Sequence, residues 1–102
     1  MANQKNLEEI QFLEQNLQNL IFQKQAFQME LSETEASLKE INSSNEDVFR
    51  VVGQLMIKKD KKNVIEELQN KKKVLDLRIS SLDKQESSFS EKLEKLRGEL
   101  IE

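Results

Sequence analysis

Residues 48–59 read VFRVVGQLMIKK and lie near the middle of the 102-residue chain, between two long arms. Apolar and mostly strand-forming residues stand on both sides of Gly53-Gln54. Such residues favour strands, and glycine permits the positive φ that a tight hairpin turn usually needs. The pattern predicts a β-hairpin with strands at about 48–52 and 55–58.

Heptad patterns run into this hairpin and out of it again. In both arms the apolar residues recur at alternating spacings of three and four, sustained over four or more heptads, which predicts coiled-coil helices. Lys24 and Thr34 interrupt the first pattern, and Lys72 and Glu86 interrupt the second. The seam residues are Ile10, Leu13, Leu17, Leu20, Phe27, Leu31, Leu38 and Ile41 in the first arm and Ile65, Leu68, Leu75, Ile79, Leu82, Phe89, Leu93, Leu96 and Leu100 in the second.

Polar residues separate the helices from the hairpin. The run Asn42-Ser43-Ser44-Asn45 competes for backbone hydrogen bonds, so the first helix is expected to end there. Asp60 is the predicted N-cap of the second helix, and Asn63 with Glu66 is an alternative capping box. We expect residues 1–102 to form one unit, with helices at 3–43 and 60–101 and a hairpin at 47–59.

The two heptad patterns match each other if the arms fold back antiparallel. Facing positions then share a constant index sum of 106, as Leu13 and Leu93 do. Lys24 and Glu86, which interrupt the two seams, fall in adjacent layers, which predicts a contact between them. Polar residues at such positions cost stability and fix the register of the helices.

Composition argues against several classes of function. The chain has no Cys, no His and only two Gly, so we expect no enzyme, no cofactor and no metal site. A net charge of −3, without aromatic residues among the lysines, argues against nucleic acid. The longest apolar run in the arms, 20–22, is too short to cross a membrane, and the N-terminus lacks the basic and apolar blocks of a signal peptide. We therefore expect a cytoplasmic protein.

The hairpin is the first place where the sequence predicts contact with other chains. A two-stranded hairpin is marginal in water, and its edges present unpaired backbone groups. Apolar residues on both faces of the hairpin suggest that it is buried between subunits. The alternative is that the hairpin caps the coiled coil of a monomer. The candidate assembly residues are Val48, Phe49, Val51, Val52, Gly53, Leu55, Met56 and Ile57.

The free ends of the arms, which hold both termini, are the second such place. Helix ends fray, and splayed apolar tips suit non-native proteins, whose apolar segments have no fixed sequence. Several tips acting together add avidity. The alternative is that seam residues such as Ile10, Leu13 and Leu93 are ordinary core. The candidate client-binding residues are Leu7, Ile10, Phe12, Leu13, Leu93, Leu96, Leu100 and Ile101.

Most of the chain resembles the prefoldin family. The resemblance lies in QNLQNLIFQKQAFQMEL at 15–31, VFRVVGQLMIKKDK at 48–61 and EELQNKKKVLDLRISSLDKQESSF at 66–89. The central segment looks like the family's pattern of an aromatic, a basic residue, a short apolar pair, Gly and an apolar strand ending in Lys. A single hairpin between the arms points to the archaeal-type beta class.

The resemblance implies a mostly α fold, a long antiparallel two-helix coiled coil whose central hairpin joins an intersubunit β-barrel platform. It also implies an ATP-independent holdase, a hetero-hexamer of two alpha and four beta subunits. Such an assembly holds non-native proteins at its distal tips and delivers them to a group II chaperonin. The alternative is a structural or tethering coiled-coil protein with one defined partner, which would not bind unrelated unfolded proteins.

Overall fold

The computed structural model describes residues 2–101, with side chains from residue 4 to residue 100. It contains two long helices separated by one antiparallel hairpin, which confirms the predicted arrangement of elements. Within residues 2–101, neither helix holds a stretch apolar enough to span a lipid bilayer. In chain order the elements are α1 (Ala2–Ser43), β1 (Val48–Val52), β2 (Leu55–Lys59) and α2 (Lys61–Ile101).

Local polar groups fix the helix ends next to the hairpin. The Asp60 carboxylate accepts a hydrogen bond from the Lys62 amide at 3.3 Å, so Asp60 is the N-cap of α2 and Asn63 lies inside the helix. At the end of α1, the Ser43 hydroxyl donates to the Glu40 carbonyl at 3.2 Å. Short polar side chains therefore end α1 and begin α2, and the hairpin lies between these two helix ends.

The hairpin turn is the predicted Gly53-Gln54 pair. Gly53 has φ of 61°, and no other residue described by the structure has positive φ. A positive φ at only the first central position is the pattern of a type II′ turn, whose twist suits a two-residue hairpin. The strands pair from Val52 with Leu55 out to Val48 with Lys59, one residue beyond the predicted end of the second strand.

The chain divides into two compact units. One consists of Met1–Phe27 and Arg78–Glu102, called the terminal unit below, and the other is Gln28–Leu77, called the hairpin unit. In the terminal unit Ile10, Leu13 and Leu93 form a buried cluster, and four further seam residues pack against it. Those four are Leu17, Phe89, Leu96 and Leu100.

The hairpin unit has a smaller core between its two helical segments. Leu75 is only 2% exposed, and Thr34 is buried as well. The Thr34 hydroxyl donates to the Glu30 carbonyl one turn earlier at 2.8 Å, so its burial leaves no polar atom unsatisfied. Exposed ion pairs, such as Lys71 with Glu30 at 3.1 Å, flank this seam and contribute little to its stability.

Candidate functional site

The hairpin exposes apolar side chains on both of its faces. Cross-strand partners share a face, so Val51 lies beside Met56 on one face and Val52 beside Leu55 on the other. Val51 and Met56 are 68% and 69% exposed, and Val52 and Leu55 are 52% and 67% exposed. Contiguous exposed apolar surface of this kind is typical of interaction sites. Of the other predicted assembly residues, Phe49 and Ile57 are exposed, Val48 is half-buried and Gly53 forms the turn.

An ion pair connects one hairpin face to α2. The Arg50 guanidinium lies 2.5 Å from the Glu67 carboxylate, on the face that carries Val52 and Leu55. Both side chains are well exposed, so the pair contributes little free energy. It marks the Arg50 side as the one turned toward the start of α2. The face of Val51 and Met56 has no such link among the described side chains.

The edges of the hairpin offer backbone hydrogen bonds. In a two-residue turn the closing pair, Val52 and Leu55, is the hydrogen-bonded one, and hydrogen-bonded and non-hydrogen-bonded pairs then alternate along the strands. The amides and carbonyls of Val51 and Met56 therefore point away from the hairpin, one pair at each edge. A strand from another chain can bond to either edge.

The predicted client-binding residues fall into distinct environments in the terminal unit. Leu7 and Phe12 are 51% and 66% exposed on α1 and are open to a partner. Ile10, Leu13 and Leu93 are buried in the core, so a partner reaches them only if the helices separate. Leu96 and Leu100 are half-buried beside that core, and the side chain of Ile101 lies outside the described residues.

The predicted contact between the two polar seam residues is confirmed. The Lys24 Nζ lies 2.5 Å from Glu86 Oε2, and it also lies 3.0 Å from Asp83 Oδ1. The Asp83 contact was not predicted, although Asp83 stands three residues before Glu86 and so on a neighbouring part of the same helix face. Hydrogen bonds to Glu86 and Asp83 raise the pKa of Lys24 above its ordinary value of 10.5. Among the residues described, no acidic cluster has a geometry that could hold a metal ion.

Replacing Lys24 with glutamate is expected to lower the Tm, because three carboxylates would then crowd one partly buried site. Since the folded-state pKa of Lys24 is raised, its contribution is complete below the ordinary lysine pKa of 10.5 and is lost as the pH rises through the raised value. The Tm values of the unchanged chain and of Lys24→Glu should therefore differ most near neutral pH, and the difference should shrink once the pH has passed the raised pKa of Lys24.

The matched control for this prediction is Lys84→Glu, which makes the same charge change at an exposed position of α2. Adding Glu86→Lys to Lys24→Glu restores an ion pair across the seam and should recover most of the lost Tm. A Tm that is unchanged in Lys24→Glu would show that the contact does not hold the register.

Three comparisons with known proteins bear on these surfaces. A family model described as "Prefoldin subunit" matches residues 4–102. Prefoldin subunit beta of Thermococcus onnurineus is 38% identical over 95 residues, which cover 91% of this chain and 82% of that protein. Prefoldin subunit beta of Thermococcus kodakarensis is 35% identical over 99 residues, covering 95% of this chain and 85% of the relative.

Solved structures show the same likeness. The crystal structure of the prefoldin beta subunit from Thermococcus strain KS-1 superposes with a TM-score of 0.89 at 34% identity, covering 97% of this chain and 89% of that one. The prefoldin beta2 subunit from the same strain gives a TM-score of 0.74 at 25% identity, with coverage of 93% and 99%. The two helices and the central hairpin are therefore shared with these proteins along nearly their whole length.

Proposed function

Because this chain belongs to the prefoldin subunit family, a family of chaperones, we propose that it is a beta-type subunit of an ATP-independent holdase. It assembles through its hairpin with an alpha-type subunit and further beta-type subunits, two alpha and four beta in all, around an intersubunit β-barrel. The assembly holds non-native proteins at its terminal units and passes them to a group II chaperonin.

The exposed hairpin is the observation that carries this proposal. Its apolar side chains lie on both faces, and both of its edges offer unpaired backbone groups. Strands of neighbouring subunits can bond to the edges while side chains of those subunits cover the faces. A single partner on one side of the hairpin cannot do both. Fully burying a large apolar side chain contributes roughly 1.5–3 kcal/mol, against an association cost of about 4–15 kcal/mol. Assembly is therefore expected to need most of the hairpin.

Client binding is proposed for the terminal unit, where Leu7 and Phe12 already face solvent. These side chains can contact an apolar client segment while the core of Ile10, Leu13 and Leu93 stays packed. One such contact is weak. Several copies of the terminal unit in one assembly raise the apparent affinity, because later contacts form within a complex that already exists.

The double variant Leu7→Ser/Phe12→Ser is expected to lose most of the protection of aggregating clients. Removing two exposed apolar contacts should weaken client binding by roughly 10-fold or more per terminal unit. The measurement is light scattering after denatured citrate synthase, and separately denatured lysozyme, is diluted into the assembled protein without nucleotide.

The matched control is Val74→Ser/Leu77→Ser, which removes two exposed apolar side chains from the hairpin unit. Unchanged protection in the Leu7→Ser/Phe12→Ser variant would remove these residues from the proposed site. If the unchanged protein assembles normally but protects neither client, the result would instead support the alternative function, a tethering protein with one defined partner.

A further inference from the structure

The outward face of α1 carries no charge from Phe12 to Gln25, and the exposed Glu8 lies on the same side one turn before Phe12. Six residues on the side away from the seam, called the amide face below, are all exposed. They occupy one arc of the helix, because each lies three, four or seven residues from at least two of the others. They are Phe12, Gln15, Gln18, Asn19, Phe22 and Gln25.

The corresponding face of α2 is different. In the same unit its outward positions include Lys84, Glu91, Glu94 and Lys95, all exposed. Charged residues are what a solvated helix face normally uses. Solubility alone therefore does not explain an uncharged face on which Phe22 is 64% exposed. Such a face points to contact with another molecule.

The amide groups of this face are free to bond to a partner. In the part of the chain whose side chains are described, no hydrogen bond involves the side chains of Gln15, Gln18, Asn19 or Gln25. A carboxamide donates and accepts, as a peptide group does, so it can pair with a polypeptide backbone in either direction. Covering such a face removes no charge from water.

We propose that the amide face binds extended, uncharged segments of non-native protein. The inference rests on the proposed function, and it extends the client site from Leu7 and Phe12 along the outside of α1. The phenylalanines take apolar side chains while the amides bond to the client backbone. Because the face lacks charge, it matches segments that are themselves uncharged, and its binding should be insensitive to salt.

The spacing of the two phenylalanines sets the length of the client segment. Phe12 and Phe22 are ten residues apart, which is about 15 Å along a helix. An extended chain advances about 3.3 Å per residue, so a segment of four to six residues reaches from one ring to the other. The preferred segments are therefore short runs with an apolar residue at each end and no charge between them.

Phe22→Ser should weaken binding of reduced and alkylated lysozyme about 5- to 10-fold in fluorescence anisotropy, at both 50 mM and 500 mM salt. Gln18→Glu/Gln25→Glu should also weaken binding, because covering the face would then remove two carboxylates from water. The matched control is Ser81→Glu/Ser88→Glu, which adds the same two charges with the same spacing to exposed positions of α2. Circular dichroism should show unchanged helix content in all of these variants, since every replaced side chain is exposed.

Three results would overturn this inference. Phe22→Ser could bind the client as well as the unchanged protein, or both charge pairs could weaken binding equally. Phe22→Ser could also change the oligomeric state, which would assign the face to a second copy of this chain. If Leu7→Ser/Phe12→Ser still loses client protection in those cases, the proposed function stands without the amide face. If no form of the protein binds the unfolded client, the proposed function fails as well.

Discussion

Replacing Val51 and Met56 together with aspartate is expected to abolish assembly at micromolar protein concentration. These two side chains face each other across the strands and are the most exposed apolar pair of the hairpin. In an assembled hairpin the two carboxylates would be buried without partners, and two apolar contacts would be lost. A loss of roughly 3 kcal/mol or more corresponds to at least about 100-fold weaker association.

Size-exclusion chromatography with light scattering measures this effect directly, using the chain mixed with an alpha-type prefoldin subunit. Met29→Asp/Leu77→Asp is the matched control, because both residues are 67% exposed or more but lie on helices. Circular dichroism should show that both variants keep their helices. If the Val51→Asp/Met56→Asp variant still assembles while the control behaves normally, the hairpin is not the assembly surface.

Replacing Leu93 with alanine is expected to lower the free energy of unfolding of the terminal unit by about 2–5 kcal/mol. Leu93 is 2% exposed and belongs to the buried cluster with Ile10 and Leu13. Truncation leaves a cavity that two long packed helices cannot easily close. Chemical denaturation measures the total loss, and amide hydrogen exchange shows whether residues near Leu93 open first.

The matched control for this prediction is Leu77→Ala. The Leu77 side chain is 71% exposed, so its truncation should lower the free energy of unfolding by less than about 0.5 kcal/mol. A loss below about 1 kcal/mol in Leu93→Ala would mean that the cluster is not a tightly packed core.

The Leu93→Ala variant also tests the role of the buried seam in client binding. If Ile10 and Leu13 bind clients after the helices separate, Leu93→Ala should capture more client despite its lower stability.

Much of the fold follows from local chemistry that the sequence shows openly. Heptad spacing identifies the seam because a helix places every third or fourth residue on the same side. The matching index sum paired Leu13 with Leu93 and brought Lys24 beside Glu86, and in the structure the first two share a buried cluster and the other two are in contact. Asp60 caps α2 as predicted.

Other features depend on distances that spacing does not contain. Asp83 joins Lys24 because a long lysine side chain can reach either of two carboxylates, and its final position depends on the packing around it. The seam pattern also treats Ile10 and Leu100 alike, yet one is buried and the other is half-buried. Among the predicted client-binding residues with described side chains, Leu7 and Phe12, outside the seam, are the two that are largely exposed.

The two helices and the hairpin follow from local sequence, because periodicity, capping groups and a glycine turn act over a few residues. The antiparallel register follows from the matching positions of the two seams. Which apolar side chains stay in water is a property of the folded chain. A side chain is buried when parts of the chain that are distant in sequence pack around it. Val51, Met56 and Phe22 have few such neighbours and therefore stay exposed. The proposed binding surfaces contain apolar side chains that the fold leaves exposed.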